Sequence, residues 1–308
     1  MSSDSIELID GGAGTNYIVG TNASDTLDFS STLLTNIAAI KGEQGNDNIT
    51  GSEGSDVIIG GEGNDKLRGG GGNDTFIVEG QLDGFDRMIG GEGEDQVLGS
   101  GGDDTFGFQR LLSSDSIELI DGGTGTNYIV GTNASDMLDF SATHLTNITA
   151  IKGGLGNDKI TGSEGSDNII GGKGNDTLRG GAGSDTYSFD LNFGIDTIIN
   201  QDSSINKVDT AYFSDASFDE LWFSRNSNHL QITQSGTDNQ ITVRNWYSNS
   251  EYQMDSIETD SSVLLNNQVE LLVSAMASYD VPLGVGNVIP QDTKDALVVT
   301  LAETWQTL

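Results

Sequence analysis

The chain has 308 residues, and its 47 acidic side chains outnumber 13 basic ones to give a formal net charge of −34. That balance excludes a nucleic-acid surface, which neutralises phosphates with Lys and Arg. It also argues against an anionic membrane and makes a cation the natural partner. With 43 glycines, 2 prolines and no cysteine, the chain is neither collagen-like nor a proline-rich linker, and disulfides and thiolate metal sites are excluded, leaving oxygen ligands.

The start, Met1-Ser2-Ser3-Asp4-Ser5, carries neither the basic nor the apolar region of an N-terminal secretory signal. No apolar run approaches the length of a membrane-spanning helix. From Ser2 the chain is organised by repeats. Ser2 to Val78 recurs as Ser113 to Phe189 at an offset of 111 residues, so that SSDSIELIDGGAGTNYIVGTNASD returns with one substitution, as SSDSIELIDGGTGTNYIVGTNASD.

A shorter period of nine runs inside the long one. From Gly42 the chain reads GEQGNDNIT, GSEGSDVII, GGEGNDKLR, GGGGNDTFI, and from Gly153 it reads GGLGNDKIT, GSEGSDNII, GGKGNDTLR, GGAGSDTYS. With GGEGEDQVL at Gly90 and GSGGDDTFG at Gly99 there are ten regular copies. Each has Gly at positions one and four, Asp at six and an apolar or aromatic residue at eight. QLDGFDRMI at Gln81 and LNFGIDTII at Leu191 keep the fourth-position Gly and the Asp, whereas GGAGTNYIV at Gly11 and GGTGTNYIV at Gly122 place Asn where Asp belongs.

Gly at positions one and four permits positive φ and close backbone approach, which suits a turn. Positions seven to nine suit a short strand with the eighth residue pointing inward. Two nonapeptides then make a coil of 18 residues, and copies n and n+2 stack about 4.8 Å apart. This stacking predicts the pairs Asp47 with Asp65, Asp56 with Asp74, Asp86 with Asp104, Asp158 with Asp176, and Asp167 with Asp185. Two carboxylates about 5 Å apart repel by ~1 kcal/mol in water and ~3 kcal/mol at an effective dielectric of 20. A divalent cation between the turns reverses that sign, and calcium accepts six to eight oxygens, which Asp side chains and turn carbonyls can supply. A disordered acidic linker is countered by the apolar eighth position. No EF-hand spacing occurs, and no helix can follow the Gly-rich loops as a phosphate-binding loop requires. At Asp25 and Asp136, where Ala replaces the second turn Gly, structural and ligand roles stay open.

Leu27 to Ile40 and its copy Leu138 to Ile151 lack the glycine rule and are expected to form wider coils of the same solenoid, or a cap. Asp219 to Glu258 reads as strands, with a hairpin turn at Ser235-Gly236-Thr237-Asp238. A helix over Gln268 to Tyr279 would present Val269, Leu272, Val273, Met276 and Ala277 on one face. Asp292 is positioned to cap a last helix bearing Leu297, Val298, Leu301 and Trp305.

The pattern GGxGxDxUx over most of residues 11–199 resembles the repeats-in-toxin, or haemolysin-type calcium-binding, nonapeptide of secreted bacterial proteins. The resemblance implies an all-β fold, a parallel β-roll (β-solenoid) holding several Ca2+ ions, with a C-terminal β segment and short capping helices. It carries a ligand role to Asp47, Asp56, Asp65, Asp74, Asp86, Asp95, Asp104, Asp158, Asp167, Asp176, Asp185 and Asp196. The expected organisation is a first repeat block over 1–112, a second over 113–200 and a C-terminal region over 201–308. The stretch from Val243 to the end is similar to the tail of such proteins. This implies secretion to the cell surface or exterior by a one-step export apparatus that reads an uncleaved C-terminal signal, with Asp292 to Leu308 the candidate; a capping role is the alternative.

Catalytic motifs are absent. His144 and His229, the two histidines, lie outside any HExxH pattern, no GxSxG elbow occurs, and the paired carboxylates are better explained as metal ligands than as acid/base pairs. A non-enzymatic calcium-binding protein is therefore expected. The alternatives are an adhesin or surface-layer spacer, and the carboxyl-terminal piece of a cytolysin or exoenzyme.

Overall fold

The computed structural model describes residues 6–80 and 84–308. Both of its compact units, Met1–Thr132 with Met137–Ile151 and Asn133–Asp136 with Lys152–Leu308, are built as parallel β-solenoid. The second copy of the long duplication contributes residues to both.

In the first unit, one sheet runs in the order His144–Thr146, Leu119–Asp121, Gln96–Leu98, Thr75–Ile77, Val57–Glu62, Ala39–Gln44, Tyr17–Val19, and another in the order Arg87–Glu92, Lys66–Gly71, Asn48–Thr50, Thr26–Asp28. Every pairing in these two sheets is parallel. The eighth-position residues fall in register, Ile58 opposite Phe76 and Phe76 opposite Val97 in the first sheet, Ile49 opposite Leu67 in the second. Ile49, Ile58, Phe76 and Val97 are wholly buried. Each contributes about 1.5–3 kcal/mol of transfer free energy, so the inward stripe is the core. The segment from Leu27 to Ile40 is solenoid as well: Thr26–Asp28 pairs with Asn48–Thr50, and Leu33–Thr35 with Leu8–Asp10.

In the second unit, Lys159–Thr161, Thr177–Arg179, Ile195–Ile198 and Gln240–Val243 pair in parallel, and the sheet then turns antiparallel through His229–Gln234 and Leu221–Asn226. The facing sheet runs through Asn168–Lys173, Thr186–Phe189, Thr210–Phe213 and Ser256–Thr259 before its antiparallel strands Ser262–Leu265 and Trp305–Thr307. A solenoid otherwise ends in unpaired strand edges open to another chain. Here antiparallel strands end both sheets, and two helices, α1 (Val269–Met276) and α2 (Gln291–Thr304), pack beside them.

Helix α1 buries Val269, Leu272, Val273 and Met276 as the spacing predicts, but it stops before Ala277, which is exposed. Helix α2 begins one residue ahead of the predicted cap. Pro290 is its N-cap residue and Asp292 lies in the first turn, where its Oδ1 accepts the Thr293 N–H at 2.9 Å. Proline is suited to that boundary because it lacks an N–H, and an acidic side chain in the first turn complements the helix dipole. Leu297 and Leu301 are buried and Val298 is exposed, while Trp305 has left the helix and pairs with Leu264 as a strand residue. Its indole lies against Phe218 and Phe223.

Candidate metal centre

The sixth-position aspartates form columns held by an unusual ladder. In each coil the Asp backbone N–H donates to a carboxylate oxygen of the Asp one coil further on. Asp47 donates to Asp65 Oδ1 at 2.7 Å, Asp56 to Asp74 at 2.8 Å, Asp158 to Asp176 at 2.7 Å and Asp167 to Asp185 at 3.0 Å, each across 18 residues. Two nonapeptides per coil is therefore the observed period. The weak copy at Leu191 joins this scheme, because Asp176 donates to Asp196 Oδ1 at 2.8 Å.

One predicted pair is corrected. Asp86 does not stack on Asp104; it accepts from Asp65 at 2.8 Å, across 21 residues, and Asp95 likewise accepts from Asp74 across 21. Val78-Glu79-Gly80 separates the copy at Gly69 from the one at Gln81 and lengthens that coil. Beyond it, the Asp86 N–H goes to the Gly107 carbonyl at 2.9 Å, so main chain replaces a carboxylate and the column ends. Asp104 instead accepts from Gly80 and donates to Asn127 Oδ1 at 2.9 Å.

The columns also contain residues that the glycine rule does not find. Glu118 accepts the Asp95 N–H at 2.7 Å. Asp209 accepts from Asp185 at 3.1 Å and donates to Asp255 Oδ2 at 2.9 Å. The available signal for the last two is Asp followed by Thr or Ser and an apolar residue, as in Asp74-Thr75-Phe76, Asp209-Thr210-Ala211 and Asp255-Ser256-Ile257. The second oxygen of Asp209 is taken by the Lys207 ammonium and by Asn200 Nδ2, so an internal cation closes that turn. Asp25 continues its column by donating to Asp47 Oδ1 at 2.7 Å. Asp115, which like Asp4 lies outside the nonapeptides, is buried and paired with Arg87 at 3.8 Å and Arg110 at 3.9 Å. Asp4 lies outside the described residues.

The second carboxylate oxygen is the chemically significant atom. Oδ2 of Asp47, Asp74, Asp95, Asp158, Asp176 and Asp196 is buried with no hydrogen-bond partner. Each of these residues is at most 2% exposed. A buried, unpaired carboxylate oxygen is costly, so it marks a place where something positive belongs. The first-position glycine shows what shares that space. A Cβ on Gly42 would lie 2.3 Å from Asp47 Oδ2 and 2.4 Å from the Gly60 carbonyl oxygen. On Gly153 it would lie 2.4 Å from both Asp158 Oδ2 and the Gly171 carbonyl oxygen. Glycine is required there because the carboxylate of one turn and the carbonyl of the next coil converge on its α-carbon. Among the described residues no group of three or more His, Asp or Glu side chains is placed to hold a metal. An oxygen-seeking ion would therefore draw on main-chain carbonyls as well as carboxylates, which is calcium's habit and not that of zinc.

The same crowding shifts protonation. Burial pushes Asp74 and Asp158 up to about 7, Asp185 to about 7 and Asp196 to about 8; the N–H donated along the ladder opposes the rise, and carboxylates of adjoining turns reinforce it. Asp47, Asp95, Asp167 and Asp176 are raised by burial in the same direction. Of the histidines, His144 is an exposed strand residue, and His229 Nδ1 accepts the Asn245 N–H at 2.9 Å.

Comparison with known proteins agrees with this geometry. The family model described as RTX calcium-binding nonapeptide repeat (4 copies) matches residues 3–31, 41–76, 82–106 and 152–187. Those segments are repeats of the repeats-in-toxin kind. They are thus of the calcium-binding kind. A segment of 84 residues is 33% identical to the iron-regulated protein FrpA of Neisseria meningitidis serogroup C, covering 26% of this chain and 8% of that protein. The crystal structure of the extracellular lipase LipA from Serratia marcescens aligns over 68% of this chain and 41% of its own, at 20% identity and a TM-score of 0.30. Among the described residues no helix is long and apolar enough to cross a membrane.

Proposed function

We propose that this chain is a secreted protein whose roll folds when calcium enters the turns. The supporting observation is the set of buried Oδ2 atoms without partners, at Asp47, Asp74, Asp95, Asp158, Asp176 and Asp196, each on a residue whose neighbours in the column are also carboxylates. A bound divalent cation supplies positive charge between stacked carboxylates and so removes the electrostatic opposition to folding. The aspartates of the columns and the carbonyls of the first-position glycines hold the ion, while the eighth-position residues supply the apolar core. Of the twelve aspartates from Asp47 to Asp196 given a ligand role by the sequence, the six above support the scheme most directly, and Asp86 is paired to Asp65.

The affinity expected of an extracellular module is a dissociation constant of about 10⁻⁴ to 10⁻³ M per site. Such sites stay empty at the low calcium inside a cell and fill outside it, which suits a chain exported unfolded. In that state Leu297, Leu301 and Trp305 are free to be read by a one-step export apparatus, and they become buried once the roll has folded. Equilibrium dialysis against millimolar calcium tests the reading. Several ions bound per chain are expected, and none bound would overturn it.

A further inference from the structure

The turns of the roll are of two kinds, and the residue at the second position separates them. In one kind this residue has positive φ: Glu43 at 77°, Gly61 at 94°, Gly70 at 113°, Gly91 at 123°, Gly154 at 104°, Gly172 at 99°, Gly181 at 114° and Asn192 at 63°. The carboxylates four residues on include Asp47, Asp74, Asp95, Asp158, Asp176 and Asp196, six whose Oδ2 is buried and unpartnered; Asp65 and Asp185 stand four residues after Gly61 and Gly181. In the other kind the second residue is Ser or Thr, with no positive φ. The Ser52 N–H and hydroxyl donate to Asp56 Oδ2 at 2.6 and 2.8 Å, and Ser163 does the same to Asp167 Oδ2 at 2.7 and 3.0 Å. Thr21 holds Asp25 Oδ2 at 2.6 and 2.9 Å in the same way.

The strands register the difference. Those running into open turns at Glu43, Gly61, Gly91, Gly154 and Gly172 are six residues long, Ala39–Gln44, Val57–Glu62, Arg87–Glu92, Ala150–Leu155 and Asn168–Lys173. The strands before Thr21, Ser52 and Ser163 stop after three residues, Tyr17–Val19, Asn48–Thr50 and Lys159–Thr161, and the exception is Thr177–Arg179, which also stops after three although Gly181 has positive φ. In the six cases above, positive φ at position two leaves Oδ2 of the carboxylate without a donor from its own turn. A residue with negative φ folds its own N–H back onto that carboxylate, and a hydroxyl adds a second bond. Glu43 and Asn192 are the informative cases, because a non-glycine residue holds this conformation only at a cost in backbone strain.

We infer that the second turn position decides which turns take calcium: turns with positive φ there are metal sites, and Ser or Thr closes the turn by donating to its own aspartate in the ion's place. This rests on the calcium reading above and adds to it which carboxylates take part. Asp56 and Asp167 are then structural members of the columns, satisfied without metal.

Counting bound ions by equilibrium dialysis at saturating calcium tests the inference, with circular dichroism in calcium confirming the fold of each variant. The double variant Ser52→Gly, Ser163→Gly should bind more calcium than the natural chain, by one ion for each turn opened. Glu43→Ser, at an exposed position that already carries a Cβ, should bind one ion fewer, while Glu43→Gly should keep the natural count. An unchanged count in both the serine replacements and Glu43→Ser, in a chain that does bind calcium, would overturn the gate and leave the calcium reading standing. A natural chain that binds no calcium would overturn both.

Discussion

Asp158 donates its backbone N–H to the Oδ1 of Asp176 at 2.7 Å, across one full coil. The two carboxylates are thereby held in one column by the backbone itself, and the remaining oxygen of each is buried without a partner. Replacing Asp176 by Ala removes the acceptor of a buried N–H, which costs about 1–3 kcal/mol, and removes one metal ligand. Calorimetric titration should show fewer ions and a lower folding midpoint. The variant Asp167→Ala should lower stability too, but should leave the ion count unchanged, because its Oδ2 is already held by Ser163.

The raised carboxylates fix the sign of the pH response in the absence of calcium. Asp74, Asp158 and Asp185 are pushed up to about 7 and Asp196 to about 8, whereas an unfolded Asp titrates at about 3.9. The metal-free fold therefore binds more protons than the unfolded chain throughout the interval between these values. Its stability must fall as pH rises through about 7 to 8. In chelator, lowering the pH from 8 towards 5 should raise β content, with protons replacing calcium. In calcium the response should invert, since protons compete for the same oxygens. A chelated chain that loses structure steadily between pH 8 and 5 would contradict this.

Asp115 is expected to matter for stability and not for metal. It is buried, faces Arg87 and Arg110, and accepts the Leu112 N–H at 2.9 Å. Replacing it by Ala strands that N–H and two partly covered cations, for a loss of about 1–3 kcal/mol. Urea unfolding in saturating calcium measures this, and dialysis should find the same ion count as in the natural chain.

The C-terminal strand makes its own prediction. Trp305 pairs with Leu264 and packs on Phe218 and Phe223. Replacing Trp305 by Ala should destabilise the calcium-loaded second unit by about 3–5 kcal/mol. Deleting Thr300 to Leu308 in a strain carrying a one-step exporter separates stability from export. Secretion that persists while calcium-bound stability drops would make the segment a cap alone.

The solenoid was legible in the sequence because its signal is periodic: Gly at one and four, Asp at six and an apolar residue at eight repeat without a gap from Gly42 to Ile77 and from Gly153. The pairs Asp47 with Asp65 and Asp158 with Asp176 follow from that period alone. Asp86 escaped it because three inserted residues, Val78-Glu79-Gly80, turn an 18-residue step into one of 21. Asp209 and Asp255 escaped because they keep the column without the turn glycines. Trp305 reads as helical from its spacing with Leu297 and Leu301, yet it becomes a strand residue because the sheet edge at Ser262–Leu265 offers backbone partners. Local pattern could not reveal that long-range demand. The Ser52 and Ser163 turns fit the same nonapeptide rule as the others, and what their second-position Ser does shows only in its bonds to Asp56 and Asp167.

Calcium dependence of folding is tested most directly by far-ultraviolet circular dichroism of the full chain at neutral pH, first in chelator and then on stepwise addition of calcium to several millimolar. The stacked carboxylates of Asp47 to Asp86 and Asp158 to Asp196, on a chain of net charge −34, predict a largely unfolded spectrum in chelator and a cooperative gain of β structure with a midpoint of about 10⁻⁴ to 10⁻³ M calcium. A full β spectrum in chelator, unchanged by calcium, would contradict it.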